Sequence, residues 1–252
     1  MYFWQGVLLI IAGVLGGMAN AMAGGASLFT FPAMLGVGLS PITANATNSF
    51  GLLAGNSFGA YVDRERIPPR SVLFWAALLL ATLGGLCGAA LLLATTPRIF
   101  SLLVPALIGL ATVIFAFSSI IRTKLSALLS GEQPNGLRLG MIFVAAIYNG
   151  FFGAGVGVIF LAVITATGHE DLRNANAFKN LLALISNIGG VMIFLASDKI
   201  SWPHGLVLMV GAAIGGFAGG KLVKVLPALL VRRVITACGC VMTATYIYRF
   251  WL

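Results

Sequence analysis

The sequence predicts an all-α, polytopic integral membrane protein made of two inverted repeats, each a broken re-entrant helical hairpin plus three transmembrane helices. Three observations carry this prediction. Of the 252 residues, 60% are hydrophobic and 8% are charged, whereas soluble domains carry roughly 25% charged residues. Apolar runs near the ~20 residues that cross a bilayer recur along the whole chain. One stretch also occurs twice, as residues 23–56 and 154–187.

The two copies of this stretch align without a gap. Ala23-Gly24 falls on Ala154-Gly155, Ala44-Asn45-Ala46 falls on Ala175-Asn176-Ala177, and Asn56 falls on Asn187. Each copy reads as a small-residue break, a return segment, a capped helix start and an Asn-rich helix. We therefore divide the chain into a first repeat (1–122), a linker loop (123–138) and a second repeat (139–252).

The first repeat opens with an almost uncharged run over 7–39. A straight helix of that length would measure ~50 Å against a hydrocarbon core of ~30 Å, so the run must break. Gly24-Gly25 is the expected break, which gives either a re-entrant hairpin or a full span plus a half span. Ser40-Pro41 is a typical N-cap followed by proline at the first helical position. The helices that follow are predicted at about 41–62, 71–93 and 99–121.

The second repeat follows the only extended polar stretch, 122–138. Its long apolar run over 139–168 is predicted to break near 153–157, and Asp171 stands where an N-cap belongs. A helix is predicted at 172–197. Trp202-Pro203 opens the next helix, and a last helix follows Pro227.

The distribution of Lys and Arg favours inverted halves. If both long runs were simple spans, the basic residues other than Lys179 would divide eight to six between the two sides. With two re-entrant hairpins, three lie on one side (Arg98, Lys199 and Arg249) and eleven on the other (Arg64, Arg66, Arg70, Arg122, Lys124, Arg138, Arg173, Lys221, Lys224, Arg232 and Arg233). The second division obeys the positive-inside rule. We expect basic loops in the cytoplasm and both termini outside it.

The polar residues leave little for catalysis. All six acidic residues lie at predicted helix ends or in loops (Asp63, Glu65, Glu132, Glu170, Asp171 and Asp198). This placement argues against paired catalytic carboxylates and a divalent-cation site. No nucleotide loop, nucleophile–base pair or metal spacing is present, so we predict no enzyme, no cofactor and no metal. The net charge of +9 suits anionic headgroups, and no nucleic-acid partner is expected.

The predicted membrane core holds amides and glycines instead. A stripe of amides at helical steps follows the first capped helix start and recurs in the second copy: Asn45, Asn48 and Asn56, then Asn176, Asn180 and Asn187. Such amides either join helices by hydrogen bonds or line a pathway.

Lys179 is the only charged side chain well inside a predicted span. An ionisable residue at this depth is by default a functional hypothesis, and the competing interpretation is a side chain that snorkels to the basic surface. Half-helices that begin at the breaks, Gly24-Gly25 and Gly155 to Gly157, would direct N–H groups toward the midplane, where they favour anions. Broken helices at corresponding positions of two halves indicate a transporter's binding site.

The paired glycine-rich breaks, the helix start at 44–47 and the segment 175–182 resemble the sulfite exporter TauE/SafE family, also described as four-toluene sulfonate uptake permeases. Trp202-Pro203 fits the same pattern. The resemblance covers almost the whole chain. It implies a carrier of the bacterial inner membrane that moves sulfite, sulfonates, sulfoacetate or related small organic anions, and it leaves the direction open.

The sequence thus predicts a secondary transporter of small anions that works by alternating access, with export favoured. An anion channel and a non-transporting membrane assembly partner are the alternatives. The expected partners are a small anionic substrate and the lipid bilayer. A homodimer is a further expectation.

Overall fold

The computed structural model describes residues 1–62, 64–129, 134–167, 171–222 and 228–251. The centre of the predicted linker, with Glu132, lies outside this part, as do Asp63, His169, Glu170 and Lys224. The described residues form no β-strand. Their twelve α-helices are α1 (Phe3–Ala23), α2 (Ser27–Gly36), α3 (Pro41–Gly51), α4 (Leu53–Val62), α5 (Val72–Ala94), α6 (Pro97–Ala116), α7 (Ser118–Leu128), α8 (Asn135–Phe151), α9 (Val156–Thr167), α10 (Leu172–Ala196), α11 (Trp202–Leu222) and α12 (Ala228–Phe250).

The order of helices repeats in the two halves. Helix α3 begins at Pro41 and α10 at Leu172, and α6 begins at Pro97 and α12 at Ala228. Both pairs of starts are 131 residues apart, as in the sequence overlay. At α3 the cap has the predicted chemistry, because the Ser40 side chain accepts from the Thr43 amide at 3.4 Å.

Two boundaries and one cap differ from the sequence prediction. The helix predicted over 41–62 is interrupted at Leu52, next to Gly51, against which the Leu208 side chain packs. The helix predicted over 99–121 ends at Ala116, and α7 crosses the boundary drawn at residue 122. Asp171 occupies the N-cap position of α10, but its side chain makes no capping hydrogen bond.

Each long apolar run breaks where glycine predicts and folds back on itself. In the first half, α2 returns along α1, so that Gly16 faces Thr30 and the Gln5 side chain donates to the Val37 carbonyl at 3.0 Å. Both ends of this hairpin therefore lie on the same side of the molecule. In the second half, the Tyr148 hydroxyl donates to the Ala154 carbonyl at 2.6 Å across the α8–α9 break.

Each hairpin packs against a helix of the other half. Helix α1 lies along α11, where Gly13 meets Gly211 and Gly17 meets Gly215. Helix α8 lies along α5 in the corresponding way, and Gly84 faces Ile147. Small residues at these positions let two helix backbones approach closely, which is how helices associate where lipid removes the hydrophobic driving force.

Corresponding helices of the two halves run in opposite directions. The Asn187 side chain of α10 donates to the Ser49 carbonyl of α3 at 2.9 Å, while Asn180, earlier in α10, faces Gly59, later in α4. Helices α6 and α12 behave likewise, since Gly109 faces Thr243 and the later Thr112 faces the earlier Gly239. This is the direction that an inverted relation between the halves requires.

Five of the described helices are long and apolar enough to cross a membrane: α1, α5, α6, α10 and α11. Many of their large apolar side chains, such as Leu79, Leu110 and Val210, face outward. An apolar exterior around a bundle of such helices is the surface of a protein that lies in lipid. The chain is thus an all-α multi-pass membrane protein, as its composition predicted.

Gly85→Ala tests the close approach of helices. The new Cβ would collide with the carbonyl oxygen of Ser186 on α10, and overpacking of this kind costs about 1–3 kcal/mol. Gly140→Ala on α8 is the matched control, because nothing lies within 4 Å of its added Cβ. We expect thermal unfolding in detergent to show a lower midpoint for Gly85→Ala alone. Equal midpoints for the two variants would contradict the packing described here.

Candidate functional site

The two hairpin breaks meet at one cavity of about 40 Å³ between the halves. Since one buried water needs about 10–15 Å³ of cavity volume, the space suits a few waters or a small ion. The lining residues come from α1 to α4 and α8 to α10: Asn20, Ala21, Gly24, Ala26, Ser27, Asn48, Ser49, Leu52, Asn56, Gly59, Asn149, Phe152, Gly153, Val156, Gly157, Lys179, Asn180, Ala183 and Asn187.

The hairpin tips touch across this cavity. Gly24 ends α1 in the left-handed conformation with φ 80°, which glycine adopts without steric cost. A Cβ on Gly157, at the start of α9, would lie 2.7 Å from the Gly24 Cα. The first turns of α2 and α9, represented by Ser27 and Val156, line the same space. Two helix N-termini therefore contribute positive potential to it, beside the C-terminal ends of α1 and α8, which contribute the opposite sign.

Four of the six predicted amides line the cavity: Asn48, Asn56, Asn180 and Asn187. The Asn48 side chain donates to the Ser27 hydroxyl at 3.2 Å. The structure thus brings the amide stripes of both repeats, which lie far apart in sequence, to the walls of one space.

Lys179 also lines the cavity, and its side chain is only 2% exposed. This burial differs from a side chain that snorkels to the surface. No Asp or Glu appears among the lining residues. No group of three or more His, Cys, Asp or Glu in the part of the chain that the structure describes could hold a metal ion. Lys179 is therefore the one ionisable side chain among the described lining residues.

The remaining predicted site residues lie beside the cavity and do not line it. The Asn45 side chain donates to the Phe151 carbonyl at 3.0 Å, which gives the last carbonyl of α8 a hydrogen-bond partner. Asn176 is half-buried one turn before Asn180. Gly25 packs near the Phe115 ring, and Gly155 has φ 77° within the second break. Asn45 and Gly155 shape the hairpin tips.

Sequence reasoning missed two lining amides, Asn20 and Asn149. Each stands four residues before a glycine of positive φ, namely Gly24 and Gly153. The gapless overlay hid this match, because it places Asn20 on Phe151. Helix α1 ends at Ala23 and α8 at Phe151, so the register inside the breaks is offset from the rest of the repeat. The recurring Asn-x-x-x-Gly spacing was the available signal.

Comparison with known proteins gives one family and several relatives. The family model described as "Sulfite exporter TauE/SafE" matches residues 9–246. "Probable membrane transporter protein YfcA" of Escherichia coli K12 is 30% identical over 96% of this chain and 89% of its own. "Probable membrane transporter protein" of Haemophilus influenzae is also 30% identical, over 96% and 94% respectively. No solved structure matches the chain.

Asn45→Ala tests whether this side chain secures the second hairpin. Removing the donor leaves the Phe151 carbonyl without the partner that the structure gives it, and an unsatisfied buried group costs about 1–3 kcal/mol. We expect a corresponding loss of unfolding free energy in detergent. Ser57→Ala is the control, since the exposed Ser57 hydroxyl bonds only to the Leu53 carbonyl of its own turn. Unchanged stability in Asn45→Ala would contradict the proposal that Asn45 caps α8.

Proposed function

The chain belongs to the sulfite exporter TauE/SafE family, and from that premise we propose that it is a secondary transporter of small sulfur-containing or organic anions. Sulfite and small sulfonates are the substrates we expect, with export as the favoured direction. The relatives are named as membrane transporters, which supports transport in general. The substrate class rests on the cavity and on the family name.

The central cavity is the observation that carries this proposal. It combines one buried lysine, amides from both halves and two helix N-termini, and it has no carboxylate among its lining residues. Positive potential and N–H donors are what an oxyanion needs after it sheds its water. A cation would have no carboxylate ligand among the described lining residues, and a protonated Lys179 would repel it. The balance of charges therefore favours anions.

We further infer that the halves are inverted repeats with both termini outside the cytoplasm. The antiparallel course of α6 and α12, with Gly109 facing Thr243, supports the inversion. The eleven-to-three distribution of basic residues supports the orientation. Relatives in two bacteria support an inner-membrane location.

During alternating access, the groups of helices that move together would differ from the two repeats of the sequence. Helix α1 is held against α11, and α8 against α5, by glycine contacts too close for independent sliding. One buried apolar cluster also joins α5, α8, α9 and α10. We therefore expect each hairpin to move with the helices of the other half that it packs on. The membrane potential supplies ~2.3 kcal/mol per charge per 100 mV for anion movement.

Lys179→Gln tests the charge of the cavity. It keeps a polar side chain and removes the cation, so we expect the KM for sulfite uptake into proteoliposomes to rise at least about tenfold, a loss of about 1.4 kcal/mol. Lys199→Gln is the matched control, because Lys199 is exposed near the end of a loop. Equal kinetics in both variants would move the anion site away from Lys179.

The same proteoliposomes separate the competing functions. Saturable flux accelerated by sulfite on the opposite side supports a carrier. Flux that neither saturates nor responds to sulfite on the opposite side would indicate a channel. Absence of any anion flux in the wild type would overturn the transport proposal and favour the assembly partner.

Gly157→Ala tests whether the hairpin tips must slide past each other. The added Cβ would lie 2.7 Å from the Gly24 Cα and wedge the tips. We expect the maximal flux to fall at least severalfold. Gly36→Ala, whose Cβ would contact the Leu8 side chain at an ordinary 3.8 Å, should keep wild-type flux. Full activity in Gly157→Ala would show that the tips need no close contact during transport.

A further inference from the structure

We propose that Asn20 is a positioning residue that sets which atoms of Asn56 face the anion. This inference rests on the proposed anion transport. Asn20 lies in the last turn of α1, and its Nδ2 donates to Asn56 Oδ1 on α4 at 2.5 Å. Both residues line the central cavity.

The orientation of a planar side-chain amide decides which of its polar atoms faces the cavity. A side-chain amide carries an acceptor oxygen on one branch and two N–H donors on the other. Because Asn20 donates to the oxygen of Asn56, and both residues line the cavity, we infer that Asn56 offers its NH2 group to the cavity. An anion gains from donors and loses from an acceptor oxygen, so the direction of this bond decides whether Asn56 attracts or repels it.

The second half has a similar link with a different partner. Asn149 Nδ2 donates to the Ser186 hydroxyl at 2.6 Å and to the Ala183 carbonyl at 3.3 Å. Ser186 is fully buried and does not line the cavity. A hydroxyl can donate or accept by rotating about one bond. Reversing the Asn149 link therefore turns no second amide, whereas reversing the Asn20 link also turns Asn56.

This difference defines a matched pair of variants, Asn20→Asp and Asn149→Asp. Each places one carboxylate in the cavity wall four residues before a glycine of positive φ, so each adds one negative charge to the wall. An ionised Asp only accepts hydrogen bonds. In Asn20→Asp, Asn56 must then donate its NH2 to the carboxylate and turn its oxygen to the anion. In Asn149→Asp, the Ser186 hydroxyl turns from the Ala183 carbonyl to the carboxylate, that carbonyl also loses its Asn149 donor, and no second amide turns.

The measurement is the KM of sulfite flux in proteoliposomes, with equal pH on both sides. At pH 7.5 we expect the KM of Asn20→Asp to exceed that of Asn149→Asp at least about tenfold, the size of one charge-assisted hydrogen bond.

Two further variants separate positioning from structure. Asn20→Gln keeps the donor and should recover most of the affinity lost in Asn20→Asp. Ser101→Ala, which removes an exposed hydroxyl bonded within its own turn, should keep wild-type kinetics. A fall in kcat with unchanged KM in Asn20→Asp would assign Asn20 a structural role and overturn the inference.

The outcomes distinguish this inference from the proposed function. Equal KM values for Asn20→Asp and Asn149→Asp, on a wild type that transports sulfite, would overturn the positioning role alone. Absence of saturable flux in the wild type would overturn the proposed function, and this inference with it. A tenfold difference between the two Asp variants, with most of the affinity kept in Asn20→Gln, would support both.

Discussion

The need to satisfy backbone polar groups where water is absent governs this structure. A helix that ends inside the bilayer leaves carbonyl and N–H groups without intrahelical partners. The first break meets this demand locally, since the Gly24 amide donates to the carbonyls of Ala19 and Asn20 at 3.2 and 3.0 Å. The second break also uses Asn45 from the other half, which donates to the Phe151 carbonyl. The first turns of α2 and α9 line the cavity, and helix N-termini favour anions.

Close packing of backbones brings the two breaks together. Glycines on α1, α5, α8 and α11 let each hairpin lie against a helix of the opposite half. The hairpin tips then meet at Gly24 and Gly157, and the amide-rich helices α3, α4 and α10 close the sides of the cavity. These contacts are possible because glycine has no side chain. The cavity that results lies between the halves, and neither half contains it alone.

The two copies of the repeat differ in charge at one position of the cavity wall. Lys179 falls on Asn48 in the overlay of the two copies, and both side chains are buried at the same cavity. One copy thus presents a neutral amide where the other presents a cation. Two lysines would repel each other in a space of about 40 Å³, and two amides would supply no net charge.

The sequence by itself determined the membrane class, the twofold repeat, the breaks and the amide stripes, because these follow from local hydrophobicity, glycine content and helical spacing. It also identified Lys179, since a lone charge in an apolar run is conspicuous. Only the tertiary structure decided that Asn45 caps α8 while Asn48 lines the cavity, and that Asn20 pairs with Asn56. These outcomes depend on the angle and depth at which distant helices cross. A shift of two residues inside a break changes which amide reaches which partner, and helical periodicity carries no information about such contacts.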